Sequence, residues 1–154
     1  MDLNSRLKGK VVVVGIGNTM RSDDGVGPIL AERIKDKVPF SVFNVGQTPE
    51  NYLEKIIREE PDTILLVDAL DFGGKPGEIR IFDGKDLETT NLFFTHNSSI
   101  TLLINYLKSN LSTDIIILII QPKTIDFGEQ LSPEVTKGLE RTEKLFYGKV
   151  KNKG

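Results

Sequence analysis

The stretch Val11-Val12-Val13-Val14-Gly15-Ile16-Gly17-Asn18-Thr19-Met20-Arg21-Ser22-Asp23-Asp24-Gly25-Val26-Gly27-Pro28 decides how this chain folds. Val11–Val14 is an unbroken β-branched run without polar alternation, the pattern of a strand buried on both faces. Glycines end the run, two adjacent carboxylates follow, and Pro28 then opens an amphipathic helical pattern. Strand, turn and helix in that order put Asp23 and Asp24 at the carboxyl end of a parallel strand. Open α/β sheets bind their ligands at that edge.

The same alternation continues along the chain. Strand-like runs recur at Ser41–Val45, Thr63–Asp68, Ile79–Phe82 and Ile115–Ile120, and helical periodicity fills Ile29–Val38, Glu50–Glu59, Ser98–Lys108 and Pro133–Phe146. The reading is an α/β fold: a twisted, mostly parallel five-stranded sheet sandwiched between helices. The segment from Ala69 to Glu78 contains Gly73-Gly74-Lys75-Pro76-Gly77 and is too short for a helical crossover. Ile79–Phe82 is therefore expected as an antiparallel edge strand. Residues 1–154 are expected to form a single domain, with 1–9 and the basic, polar 148–154 as flexible ends.

Composition narrows the function. A chain of 154 residues can bury about two-thirds of its unfolded surface. A net charge of -2 gives no pull toward nucleic acid or anionic membrane. The absence of cysteine excludes disulfides, thiolate zinc sites, iron–sulfur clusters and a cysteine nucleophile. There is neither a signal-peptide pattern nor an apolar run of the roughly twenty residues a membrane helix needs. A soluble cytoplasmic protein is the expectation.

Gly15-Ile16-Gly17 after a strand is reminiscent of a dinucleotide fingerprint, but Met20 stands where the third glycine belongs. The strand Ser41–Val45 also lacks a terminal acid for a ribose, and acids in the loop would repel a pyrophosphate. A tight turn is the simpler role for these glycines. Of Asp23 and Asp24, one can cap the following helix, which leaves the other to explain. Asp68 ends the buried-type strand Thr63–Val67 and belongs on the same sheet edge as Asp24. Two carboxylates within about 4 Å repel by about 4 kcal/mol at an effective dielectric of 20, so a converged pair needs a cation or a shared proton. His96, the single histidine, lies in Thr95-His96-Asn97 at the start of the third long helix and so at the same edge. Two carboxylates and an imidazole suit zinc, nickel or another borderline divalent ion, with coordination positions left open. One histidine excludes H-E-x-x-H, and there is no G-x-S-x-G. Ser98 and Ser99 adjoin His96 in sequence, which does not make a triad.

Six motifs in order now carry a resemblance. They are Gly15-x-Gly17-Asn18, Asp23-Asp24-Gly25-x-Gly27-Pro28, Val67-Asp68-Ala69, Pro76-Gly77-Glu78-Ile79-Arg80, Thr95-His96-Asn97 and Ile120-Gln121-Pro122. Together they resemble the [NiFe]-hydrogenase maturation endopeptidases, above all the branch that processes the formate-hydrogenlyase hydrogenase. The resemblance implies an aspartyl-type endopeptidase that removes the C-terminal extension of the large-subunit precursor after nickel insertion. It places the metal-contacting and catalytic positions on Asp24, Asp68 and His96, and leaves Asp23 as the helix cap. Nickel would be carried by the precursor, and zinc or cadmium could occupy the site in vitro. Docking would then test for nickel, with water activated either by the ion or by an aspartate. One departure is Gln47, where the family often has a glycine; only glycine takes positive φ freely. The alternatives are a non-catalytic Rossmann-like nucleotide-binding module and a metal-dependent hydrolase with its own ion.

Overall fold

The computed structural model describes residues 2–86 and 99–153. Valine, isoleucine and leucine dominate three parallel strands whose side chains are buried on both faces: β1 (Val11–Ile16), β3 (Thr63–Ala69) and β5 (Asp114–Ile120). The β2 strand (Ser41–Gly46) flanks β1, and β4 (Ile79–Asp83) flanks β5, giving the order β2-β1-β3-β5-β4. All neighbours are parallel except β4 and β5, which pair antiparallel with Ile79 opposite Ile120. The expected edge strand is therefore present, and for the expected reason: the connection after β3 is too short to cross over.

Strand residues alternate between two cores. Val11, Val13, Leu65, Val67, Ile116 and Leu118 face one side, where α2 (Val26–Ile34) and α5 (Pro133–Lys153) supply Leu30, Ile34, Leu139 and Phe146. Val12, Val14, Ile64, Leu66, Ile115 and Ile117 face the other, with Ile56 of α3 (Leu53–Arg58) and Ile104 and Leu107 of α4 (Ser99–Asn110). The two-residue period of a strand sends neighbours in sequence to opposite cores.

Several boundaries differ from the sequence reading, among them α5, which runs on to Lys153 through the stretch expected as a flexible end. Helix α2 begins at Val26 and tolerates Pro28 because amides of the first turn have no intrahelical acceptor, so the N–H that proline lacks breaks no helix bond. The second periodic stretch is a 3-10 turn, Pro49–Asn51, followed by the shorter α3. The N-terminal residues are not a loose end. Leu3–Arg6 forms a helical turn, α1, and Leu3 and Leu7 are each only 1% exposed, in the core that also contains Phe146. Arg6 secures the turn by donating to Asp83 at 2.6 Å and to Asp114 at 3.1 Å.

Candidate active site

The β1 strand enters its terminal turn through two close backbone contacts. A Cβ on Gly27 would lie 2.6 Å from the Val67 carbonyl oxygen and 2.8 Å from the Ile16 nitrogen, so α2 rests directly against β1 and β3. Gly17, at φ 148°, lies against the Asp24 carbonyl, which leaves no room for a side chain. These approaches bring the 3-10 turn Ser22–Gly25 over the end of the sheet. There the Asn18 N–H donates to Asp24 Oδ2 at 3.0 Å, and the Gly17 N–H is taken by the Gly46 carbonyl at 3.0 Å. Two amides that a phosphate-binding glycine loop would offer are thus already engaged, one of them by a carboxylate.

Asp24 and Asp68 line one cleft of about 280 Å³, together with Ile16, Gly17, Gln47 and Leu70. Asp68 is 7% exposed and accepts from its own following amide, Ala69 N–H, at 2.8 Å. Burial pushes the Asp68 carboxyl well above the usual carboxylate range, and the neighbouring Asp24 charge pushes it further, against a smaller pull from the Ala69 N–H. Asp24 is half-buried, and burial raises its carboxyl too, opposed by the Asn18 N–H and the Arg21 cation. Two acids facing one cleft, each reluctant to ionise, can share a proton or bind a cation. Among the described residues no group of three or more metal-binding side chains is assembled. His96, the third expected member, lies outside the described residues.

Asp23 does not cap α2: the helix has Gly25 at its N-cap and no side-chain cap bond. Its fully buried carboxylate reaches across to the segment between β5 and α5 instead. Oδ2 accepts from Lys123 N–H at 2.9 Å, Thr124 N–H at 3.1 Å and the Ser132 hydroxyl at 2.9 Å, and Oδ1 accepts from Ser132 N–H at 2.7 Å. Ser132 in turn caps α5 by accepting from Val135 N–H. Ser22, beside Asp23, holds a left-handed φ of 51°, a conformation costing a non-glycine residue about 1 kcal/mol or more. Its N–H to the Gly128 carbonyl and its hydroxyl to the Asp126 carbonyl, both at 2.7 Å, hold it there.

Gln121 has a structural part that the sequence did not reveal. Buried at the end of β5, its Oε1 accepts from Phe72 N–H at 2.9 Å and Gly74 N–H at 3.1 Å, while Nε2 donates to Asp71. It thereby fixes the loop that leaves the cleft after Asp68. Its signal was a polar residue directly after the apolar run Ile115–Ile120. Gln47 needs no glycine conformation, because the left-handed position is Gly46, at φ 54°.

These features define an α/β protein with an acidic cleft at the carboxyl edge of its sheet. The profile of the HycI hydrogenase maturation proteases matches residues 25–148. The hydrogenase 3 maturation protease of Escherichia coli K12 is 35% identical over 145 residues, which is 93% of this chain and 92% of that one. The crystal structure of the [NiFe] hydrogenase maturation protease HycI from Thermococcus kodakarensis KOD1 superposes with a TM-score of 0.82 at 32% identity, covering 97% of this chain and 98% of that one. The solution structure of the E. coli endopeptidase HycI gives a TM-score of 0.79 at 34% identity, over 91% and 90% of the two chains. The chain belongs to the hydrogenase maturation protease family and is an endopeptidase of hydrogenase maturation. No described helix is long and apolar enough to cross a membrane.

Proposed function

We propose that this endopeptidase removes the C-terminal extension of a [NiFe]-hydrogenase large-subunit precursor after nickel insertion, and that Asp24, Asp68 and His96 read the nickel that the precursor carries. The observation that supports this best is the placement of Asp24 and Asp68 in one cleft, where burial first and the second carboxylate after it hold the Asp68 carboxyl high. A buried carboxyl raised by a second carboxyl is relieved by a divalent cation, so nickel presented by the substrate makes the ionised pair favourable. In this reading the pair supplies oxygen ligands and His96 an imidazole, a mixed set suited to nickel and also to zinc or cadmium. The resting site needs no ion of its own. Contact with the substrate's metal also fixes the position of the scissile peptide beside the cleft, turning recognition into orientation.

A second reading for the water-activating step draws on the same raised carboxyls. One aspartate holds a proton while the other acts as general base, the division of labour of a carboxyl pair. Both readings give Asp24 and Asp68 direct roles.

Incubation with nickel-loaded and nickel-free precursor, followed by the mass of the product, tests the function. Cleavage of the loaded form alone is expected, with Asp24→Ala and His96→Ala folded but inactive. Normal processing by either variant would sink the three-residue site, and equal cleavage of both precursors would sink nickel reading.

A further inference from the structure

The cleft that contains Asp24 and Asp68 has one further polar side chain on its wall, Gln47. The backbone that carries it is fixed on both sides. Gly46, at φ 54°, turns the chain at the end of β2; its carbonyl takes the Gly17 N–H at 3.0 Å, and its own N–H donates to Asn44 Oδ1 at 3.1 Å. The Thr48 N–H closes the turn on the Val45 carbonyl at 3.1 Å. Gln47 is thus the third residue of a tight turn tied to β1, the strand that leads to Asp24. The residue is exposed, and its carboxamide has no hydrogen-bond partner among the described residues. An exposed glutamine is ordinary on a protein surface. A free carboxamide on a braced backbone, at the wall of the acidic cleft, is placed to meet whatever enters it.

A peptide segment lying in this cleft brings carbonyl oxygens that give up water there and need donors in exchange. The wall offers few. Asp24 and Asp68 only accept when ionised, and Ile16 and Leu70 are apolar. The Gly17, Asn18 and Ala69 N–H groups are already taken, by the Gly46 carbonyl, Asp24 and Asp68 respectively. Among the described residues that line the cleft, Gln47 has the only side-chain N–H. We infer that Gln47 is a substrate-binding residue of this endopeptidase, whose Nε2 donates to a main-chain carbonyl of the segment being cut. The bond holds the peptide against the β2 side of the cleft while the scissile group faces the two acids. A main-chain carbonyl is present in any substrate segment, so the contact fixes the path of the chain rather than the identity of a side chain. The inference rests on the proposed cleavage in the cleft.

The test compares the wild-type protein with Gln47→Met and Gln47→Glu on nickel-loaded large-subunit precursor. Single-turnover cleavage with the protease in excess gives a half-saturating concentration and a limiting rate for each. Gln47 is exposed and bonds to no described side chain, so all three proteins should share one unfolding midpoint. Gln47→Met keeps the length and removes the amide, and is expected to raise the half-saturating concentration about fivefold with the limiting rate held, the loss of one neutral hydrogen bond. Gln47→Glu keeps the shape but turns an acceptor toward the carbonyl, and should bind more weakly than Gln47→Met. If the wild-type protein cleaves and Gln47→Met half-saturates within about twofold of it, the contact is overturned while the cleft reading stands. Binding by Gln47→Glu as tight as wild type or tighter means that Gln47 faces a donor or the metal, and overturns the carbonyl contact. A fall in the limiting rate alone overturns it too, because the contact is made on binding. A wild-type protein that does not cleave the precursor overturns both readings.

Discussion

Replacing Asp23 by asparagine keeps the shape of the side chain and removes its charge, which isolates what the carboxylate contributes. Oδ2 serves three donors and Oδ1 one. The less damaging placement of the new amide keeps oxygen at the Oδ2 position and turns NH2 toward the Ser132 N–H. Two donors then face each other in a site with no solvent exposure. One hydrogen bond to an ionised acceptor is lost, worth about 1.5–3 kcal/mol, and the bonds that remain are weakened to neutral ones. Relief of the buried charge offsets part of this, leaving an expected destabilisation of about 2.5 kcal/mol. In urea this moves the unfolding midpoint down by about 1.3 M, for a slope near 2 kcal/mol/M. Asp23→Ala, with every bond gone, should cost about 4 kcal/mol. Hydrogen exchange gives an independent reading: the Lys123, Thr124 and Ser132 amides should exchange faster in Asp23→Asn, with no comparable change at Leu65 in the sheet centre. A destabilisation under about 0.5 kcal/mol would refute the assignment of Asp23 as the tie between the loops, because no surface contact could then be distinguished from it.

Two further perturbations probe the frame and the acid pair. Gly27→Ala forces a methyl against the backbones of β1 and β3, which cannot give way, and should lower Tm by about 10 °C for a cost near 3 kcal/mol; a fall under about 2 °C would show that α2 can retreat from the sheet. Asp68→Asn should stabilise the fold at neutral pH while abolishing processing: a carboxyl raised in the folded state contributes stability that is present below its unfolded pKa, near 4, and lost as pH rises toward its folded pKa, so the advantage of the variant over wild type should grow with pH across that window. Parallel stability curves for the two proteins from acid to neutral pH would contradict the raised carboxyl.

The strands were legible because their residues leave little choice. Runs such as Val11–Val14 and Ile115–Ile120 have no polar face to give to solvent, so only the middle of a covered sheet accommodates them. The reversal at β4 was legible from chain length alone. Asp24 and Asp68 could be brought to one cleft on paper because the ends of neighbouring parallel strands share an edge, and the structure does bring them there. What stayed hidden was non-local or too short. Asp23 looks like a local cap because its sequence neighbours say so, and its real partners lie at Lys123, Thr124 and Ser132. The turn Leu3–Arg6 is too brief for periodicity to register, and its stability comes from the placement of Leu3, Leu7 and Arg6 against distant elements. Gln121 stood out as a motif, but nothing nearby in sequence announces that its amide holds the Phe72–Gly74 backbone.

The position of β5 between β3 and β4 also sets the order in which the molecule can be finished. As the chain leaves the ribosome, β4 emerges before the strand it pairs with, and it has no ladder to join until residues 114–120 follow. Asp23 waits longer still, since the amides that satisfy it belong to the stretch after β5. The wall of the cleft built from the first quarter of the sequence is therefore completed by its last third. A nascent or C-terminally clipped chain could form β1, β2 and β3 yet lack a braced site. The braced geometry around Asp23 is thus acquired only once residues 123–132 have been made.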